Sequence, residues 1–138
     1  MRSTLIDAGP IIALFNKNDK FHNKIKSFLI NYNGILISSW PVITEASHML
    51  DFNVKTQIDL LSWVNLGGIQ IEEINRNDIN RIIELSKKYA DIPMDPADAS
   101  LVILSERLNI KEIITIDSDY YFYRTIKKEM IENIFNHG

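Results

Sequence analysis

Five carboxylates set the chemical possibilities of this sequence. Asp7 follows the apolar run Ser3–Ile6, and Asp117 follows Glu112–Ile116. Glu45 stands about one turn into a helix expected after a second apolar run, Ile35–Ile37. Asp95 and Asp98 open a further helix at Asp95-Pro96-Ala97-Asp98. Ligands of an open parallel sheet bind outside the carboxyl ends of its strands. Acids distant in sequence can therefore converge on one edge. Two carboxylates ~4 Å apart repel by about 4 kcal/mol at an effective dielectric of 20, so such a group needs a counter-charge. An all-oxygen set favours Mg²⁺ or Mn²⁺ over zinc. Mg²⁺ keeps several waters and takes substrate phosphate oxygens. The implied chemistry is metal-assisted hydrolysis of a phosphate ester.

Each acid also has a simpler reading. Asp95 suits an N-cap, with Pro96 at the first helical position. Asp98 could complement the helix dipole. Glu45 could be a solvated helix residue. Asp7, Asp117 and Asp119 could start turns. Capping alone does not require all of them together.

The elements that must position these acids alternate between apolar runs and helical periods. Ala8-Gly9-Pro10 turns the chain and Ile11–Phe15 begins a helix. A second helix is expected over about 19–32, ending at Asn33-Gly34. Ser38-Ser39-Trp40-Pro41 opens a third, running to about Leu50. A fourth, from Lys55 to Leu66, carries Ile58, Leu61 and Val64 on one face and stops at Gly67-Gly68, before the strand Ile69–Ile71. Asn75 and Asp78 start the next, with Ile79, Ile82, Ile83, Ser86 and Ala90 as its buried face. The helix from Ala97 to Leu108 is apolar on most sides and expected at the centre. Ile131–Phe135 is the candidate fifth strand. Strands separated by one or two helices predict an α/β fold with a parallel sheet. No linker or repeat interrupts residues 1–138, which read as a single domain.

Composition excludes other classes. The 138 residues are 46% hydrophobic and 24% charged, an ordinary globular balance. Cysteine is absent, which removes disulfides, thiolate nucleophiles and cysteine zinc sites and suits a reducing cytoplasm, the expected location. No apolar run approaches the ~18 residues of a membrane span, and the charged start does not read as a signal peptide. The net charge of −3 argues against a nucleic-acid partner. Setting aside Asp7, Glu45, Asp95, Asp98 and Asp117 turns it to +2. Lys17, Lys20, Lys24 and Lys26, and Arg124, Lys127 and Lys128, could then meet a phosphate backbone, or simply solvate helix faces. There is no Gly-x-Gly-x-x-Gly, P-loop or Gly-x-Ser-x-Gly elbow. Gly9 stands where a haloacid-dehalogenase-like phosphatase needs its second Asp.

In order and spacing, four segments resemble the PIN-domain family, specifically small VapC-type toxin ribonucleases. They are Leu5-Ile6-Asp7-Ala8-Gly9-Pro10, Trp40-Pro41-Val42-Ile43-Thr44-Glu45-Ala46, Met94-Asp95-Pro96-Ala97-Asp98-Ala99 and Thr115-Ile116-Asp117-Ser118-Asp119-Tyr120, the last with Tyr where Phe is common. The resemblance spans essentially the whole chain. It implies a three-layer α/β/α fold, sheet order 3-2-1-4-5, as one nuclease domain. It implies Mg²⁺- or Mn²⁺-dependent endoribonuclease activity on RNA, a homodimer and inhibition by an antitoxin protein. Asp7 and Asp98 would hold the principal metal, and Glu45 and Asp117 would complete the acidic cup. Asp95 and Asp119 could assist, and so could Thr115, which faces the same side of the strand as Asp117. The exposed helix faces near Phe21–Tyr32 and Ile58–Trp63 are the expected contact surfaces. His22 reads as packing, His48 as surface or packing and His137 as a tail residue. The competing reading is a non-catalytic PIN module that binds RNA or a protein; degenerate members usually lose acids, and this chain keeps all four.

Overall fold

A computed structural model describes residues 1–135; His137 lies outside them. The first strand, β1, is Ser3–Ile6. Asp7 then caps helix α1 (Ala8–Phe15) directly, its carboxylate accepting from the Ala8 amide. The helix thus begins three residues before the expected Ile11, because Pro10 falls in the first turn, where its missing N–H costs nothing. Helix α2 spans His22–Asn31, shorter than the expected 19–32. Asp19 instead accepts from the Phe21 amide in a local turn, the competition with helix that Asp commonly offers. The helix stops without a left-handed glycine: Tyr32 is extended, and a Cβ at Gly34 would lie 2.6 Å from the Arg2 carbonyl oxygen. Gly34 is there for close approach to the first strand.

Strand β2 runs Ile35–Ser39, two residues past expectation, and Ser39 caps α3 (Trp40–Met49). Helix α4 (Val54–Asn65) and β3 (Gln70–Glu72) follow. A 3-10 turn at Arg76–Asp78, closed by a reciprocal Asn75–Asp78 capping box, feeds α5 (Ile79–Lys88). Helix α6 (Pro96–Leu108) has a second such box, Asp95 with Asp98. Strand β4 is Glu112–Ile114, a 3-10 turn covers Ser118–Tyr121, and β5 is Glu132–Asn133. All pairings are parallel, in the order β3-β2-β1-β4-β5. The order and the flanking helices are those expected. As anticipated, α6 is central: Ala99 to Ser105 are buried without interruption.

Periodicity left the inner faces of two helices to be settled by packing, and on α5 the outcome differs from the sequence reading. On α5, Ile79 and Ile83 are exposed, and the inward stripe is Ile82, Leu85 and Tyr89. Ser86 and Ala90 are exposed too. On α4, Ile58 and Leu61 are exposed and Leu60 is the buried residue, flanked by half-buried Trp63 and Val64. Both helices carry two apolar stripes, and periodicity alone cannot say which one the sheet covers. Strand β4 stops short of Thr115 and Ile116 because a side chain takes over its ladder. The Asn133 amide donates to the Thr115 carbonyl and accepts from the Thr115 N–H, standing in for a strand of backbone. That substitution also shortens β5 from the expected Ile131–Phe135.

Candidate metal centre

Asp7 and Asp117 leave adjacent strands, β1 and β4, at their carboxyl ends. Asp7 is 5% exposed. One of its oxygens accepts from the Ala8 amide at 2.8 Å, the other from the Thr115 hydroxyl at 2.9 Å. The same Thr115 oxygen accepts from the Asp117 N–H at 2.9 Å. Thr115 therefore ties the two acid-bearing loops together. Asp117 in turn caps the following 3-10 turn, accepting from the Asp119 amide at 2.9 Å.

Asp98 reaches the same point from another layer. It is the third residue of α6, and its amide donates to Asp95 at 2.8 Å while its own Oδ2 accepts weakly from the Asp95 N–H at 3.3 Å. Its Oδ1 accepts from the hydroxyl of the fully buried Tyr120 at 3.3 Å. Beneath it, the Ser39 hydroxyl lies 2.6 Å from that of Ser100, which donates to the Ala97 carbonyl. This polar stitch pins the start of α6 to the end of β2.

One carboxylate oxygen each from Asp7, Asp98 and Asp117 lies within 4.8 Å of the other two. Glu45 projects from α3 half-buried and stands outside this tight group, yet it feels the charges of Asp95 and Asp117. Asp95 is exposed and committed to capping, and Asp119 supports Asp117 through its backbone. Of the seven acids and hydroxyls anticipated here, three form the core, Thr115 braces it, and Glu45, Asp95 and Asp119 surround it. His48 is exposed, and His22 bonds the Ala13 carbonyl oxygen at 2.7 Å, a packing role as expected.

The electrostatics are those of buried, crowded carboxylates. Burial pushes the Asp7 carboxyl up to about 7, against its hydrogen bonds and with help from the charges of Glu45 and Asp117. Asp98 rises to about 8, first from burial and then from Asp7 and Asp95. Glu45 is raised by burial and by Asp95. Among the described residues, none of the ion pairs involves any of these acids. Close carboxylates held by fixed backbone caps, all offering oxygen and lacking a cation, suit a hard divalent ion.

Two contributors were not anticipated. Tyr120 was visible only as Tyr in place of Phe, and nothing in the spacing places its hydroxyl on a carboxylate 22 residues earlier. Asn133, which holds Thr115 in place, carries no sequence signal at all.

Comparison with known proteins agrees with this fold. The chain is 24% identical over 119 residues to ribonuclease VapC26 of Mycobacterium tuberculosis, covering 85% of this chain and 88% of that protein. Its fold matches the crystal structure of VapC20, a sarcin-ricin loop cleaving toxin of the same organism, with a TM-score of 0.78. The sequence identity there is 15%, over 86% of this chain and 93% of the other. The family model of the PIN domain matches residues 4–128, so the chain belongs to the PIN-domain family.

Proposed function

We propose that the protein is a divalent-metal-dependent endoribonuclease, the toxin of a toxin–antitoxin pair. The observation that carries this is the triad Asp7, Asp98 and Asp117, drawn within 4.8 Å at the carboxyl edge of the sheet and, among the described residues, in no ion pair. The likeness to a VapC ribonuclease over most of both chains supports the substrate class. Asp7, Asp98 and Asp117 would hold Mg²⁺ or Mn²⁺. When bound, such an ion polarises the scissile phosphate and lowers the pKa of a coordinated water. Thr115 holds Asp7 and the Asp117 loop in register, so the ligand oxygens are set before substrate arrives. Glu45 or Asp117 would orient the attacking water for in-line displacement, leaving 5′-phosphate and 3′-hydroxyl ends. Asp95 serves as the cap that fixes Asp98. The assembly would be a homodimer inhibited by an antitoxin protein. Among the described residues, no helix is long and apolar enough to cross a membrane.

The test is cleavage of mixed structured and single-stranded RNAs by the purified protein in Mg²⁺, Mn²⁺ or EDTA, beside Asp98→Asn. Metal-dependent cutting that disappears in the variant is the expected result. A folded protein that binds RNA but cuts none with either metal would instead favour the non-catalytic PIN module.

A further inference from the structure

Resting on the ribonuclease reading, we infer that the cleft beside Asp117 seats an unpaired nucleobase next to the scissile phosphate, with Tyr121 as its stacking face. The cleft is about 400 Å³, within the ~300–1,000 Å³ typical of small-ligand sites. It is lined by Asp117 and Tyr121 from one segment and by Met130, Ile131 and Glu132 from another. It is continuous with the acidic triad, because Asp117 belongs to both. A phosphate held at the acids carries a nucleoside on either side, and this cleft is where one of them would lie.

The chemistry of the walls suits a base. Tyr121 is 68% exposed and Phe122 54%, although both are large aromatics. Their rings meet edge to face at 5.5 Å. The segment is not loose: the Arg124 guanidinium donates to the Tyr121 and Tyr123 carbonyls, and the Phe122 amide donates to the Asp119 carbonyl. An aromatic face held in this way beside a phosphate site is how unpaired bases are commonly gripped. The Met130 segment is reached from a tight turn, Lys128 N–H to the Thr125 carbonyl, that carries exposed Lys127 and Lys128. These cations could meet the next phosphates. The Asn133 side chain is engaged by the Thr115 backbone and the Phe135 amide, and Ser118 is the small neutral polar side chain left in the lining. Stacking therefore dominates over edge readout. The subsite selects an unpaired nucleotide over a paired one rather than one base over another.

The experiment first maps a cut in a single-stranded oligoribonucleotide. The parent, Tyr121→Ala and Tyr121→Trp are then compared on that oligonucleotide and on versions abasic at each nucleotide flanking the cut. Base stacking on an aromatic is worth ~1–3 kcal/mol, so Tyr121→Ala should lower kcat/KM by about 5- to 150-fold. Tyr121→Trp should stay near the parent. Removing the base at one flanking position should cost the parent a similar factor, and the two losses should not multiply. Equal cleavage of intact RNA by parent and Tyr121→Ala would overturn the subsite, as would losses that multiply at both positions. A parent protein that cuts no RNA with either metal would overturn the ribonuclease reading, and the subsite with it.

Discussion

The two edges of one sheet treat carboxylates in opposite ways. At the amino edge, Glu112 opens β4 and receives a two-pronged bond from Arg2, at 2.7 and 2.9 Å. That guanidinium holds the Glu112 carboxyl below its ordinary value. Five residues on, at the carboxyl edge, Asp117 joins Asp7 and Asp98 with no guanidinium or ammonium among them, and burial drives Asp7 and Asp98 up. The same contrast separates Glu106, paired with Arg81 on the flank of α6, from Asp98 at its start. Glu112 and Glu106 each meet a guanidinium. Acids left without one, yet fixed by caps and a threonine bridge, await a ligand. Buried like charges are costly to hold, and among the described residues the acid cluster lies at this edge.

The largest way to sharpen the contrast is to remove a carboxylate from the unpaired edge. Asp98→Asn should cut RNA cleavage by on the order of 10³-fold, the scale of the several kcal/mol a metal supplies to a transition state. It should also make the metal-free protein more stable above pH 7, since a forced charge is gone. Thermal melting with and without EDTA reads both sides of that claim.

The pH dependence has a definite sign. The folded protein holds the protons of Asp7 and Asp98 more tightly than the unfolded chain, where the ordinary value is 3.8. The metal-free protein should therefore lose stability as pH rises from about 4 to about 8. Asp7 can account for at most about 4 kcal/mol of this, and Asp98, partly screened by solvent, for less. Saturating Mn²⁺ should flatten or reverse the slope. Melting temperatures across that range, in both conditions, check it.

Tyr120→Phe should act more gently. It keeps the buried ring and its edge-to-face contact with Tyr123 at 5.1 Å, and removes only the hydroxyl aimed at Asp98. A hydrogen bond to a charged group is worth ~1.5–3 kcal/mol, and at 3.3 Å the lower end applies. Metal affinity should fall about tenfold while the melting temperature of the metal-free protein stays close to the parent's. The smallest effect belongs to the paired edge. Glu112→Gln should leave metal affinity and cleavage unchanged and cost only a little stability, because exposed ion pairs contribute little. A large loss of metal binding there would break the distinction between the two edges.

The positions of Asp7 and Asp117 were legible because an acid after an apolar run marks a strand end. Asp98 was legible because Asp95-Pro96 announces a helix start and fixes a carboxylate three residues on. The capping box itself was not foreseen there, although it was at Asn75 and Asp78. What stayed hidden depended on tertiary contacts. The Tyr120 hydroxyl and the Asn133 amide each act on a residue that chain separation conceals. The inner face of α5 was misjudged because that helix has a second apolar stripe, and only packing decides which is covered. The exposed stripe that results on α5, Ile79 and Ile83, was invisible as surface until the sheet was in place, whereas an exposed face at Ile58 was expected.

The most direct test of the central claim is calorimetric titration of Mn²⁺ into the purified parent protein and into Asp98→Asn, with both variants shown to be folded. The two-edge account predicts saturable binding by the parent that strengthens as pH rises and is lost in the variant. Equal binding by both, or none by the parent at any pH, would contradict it.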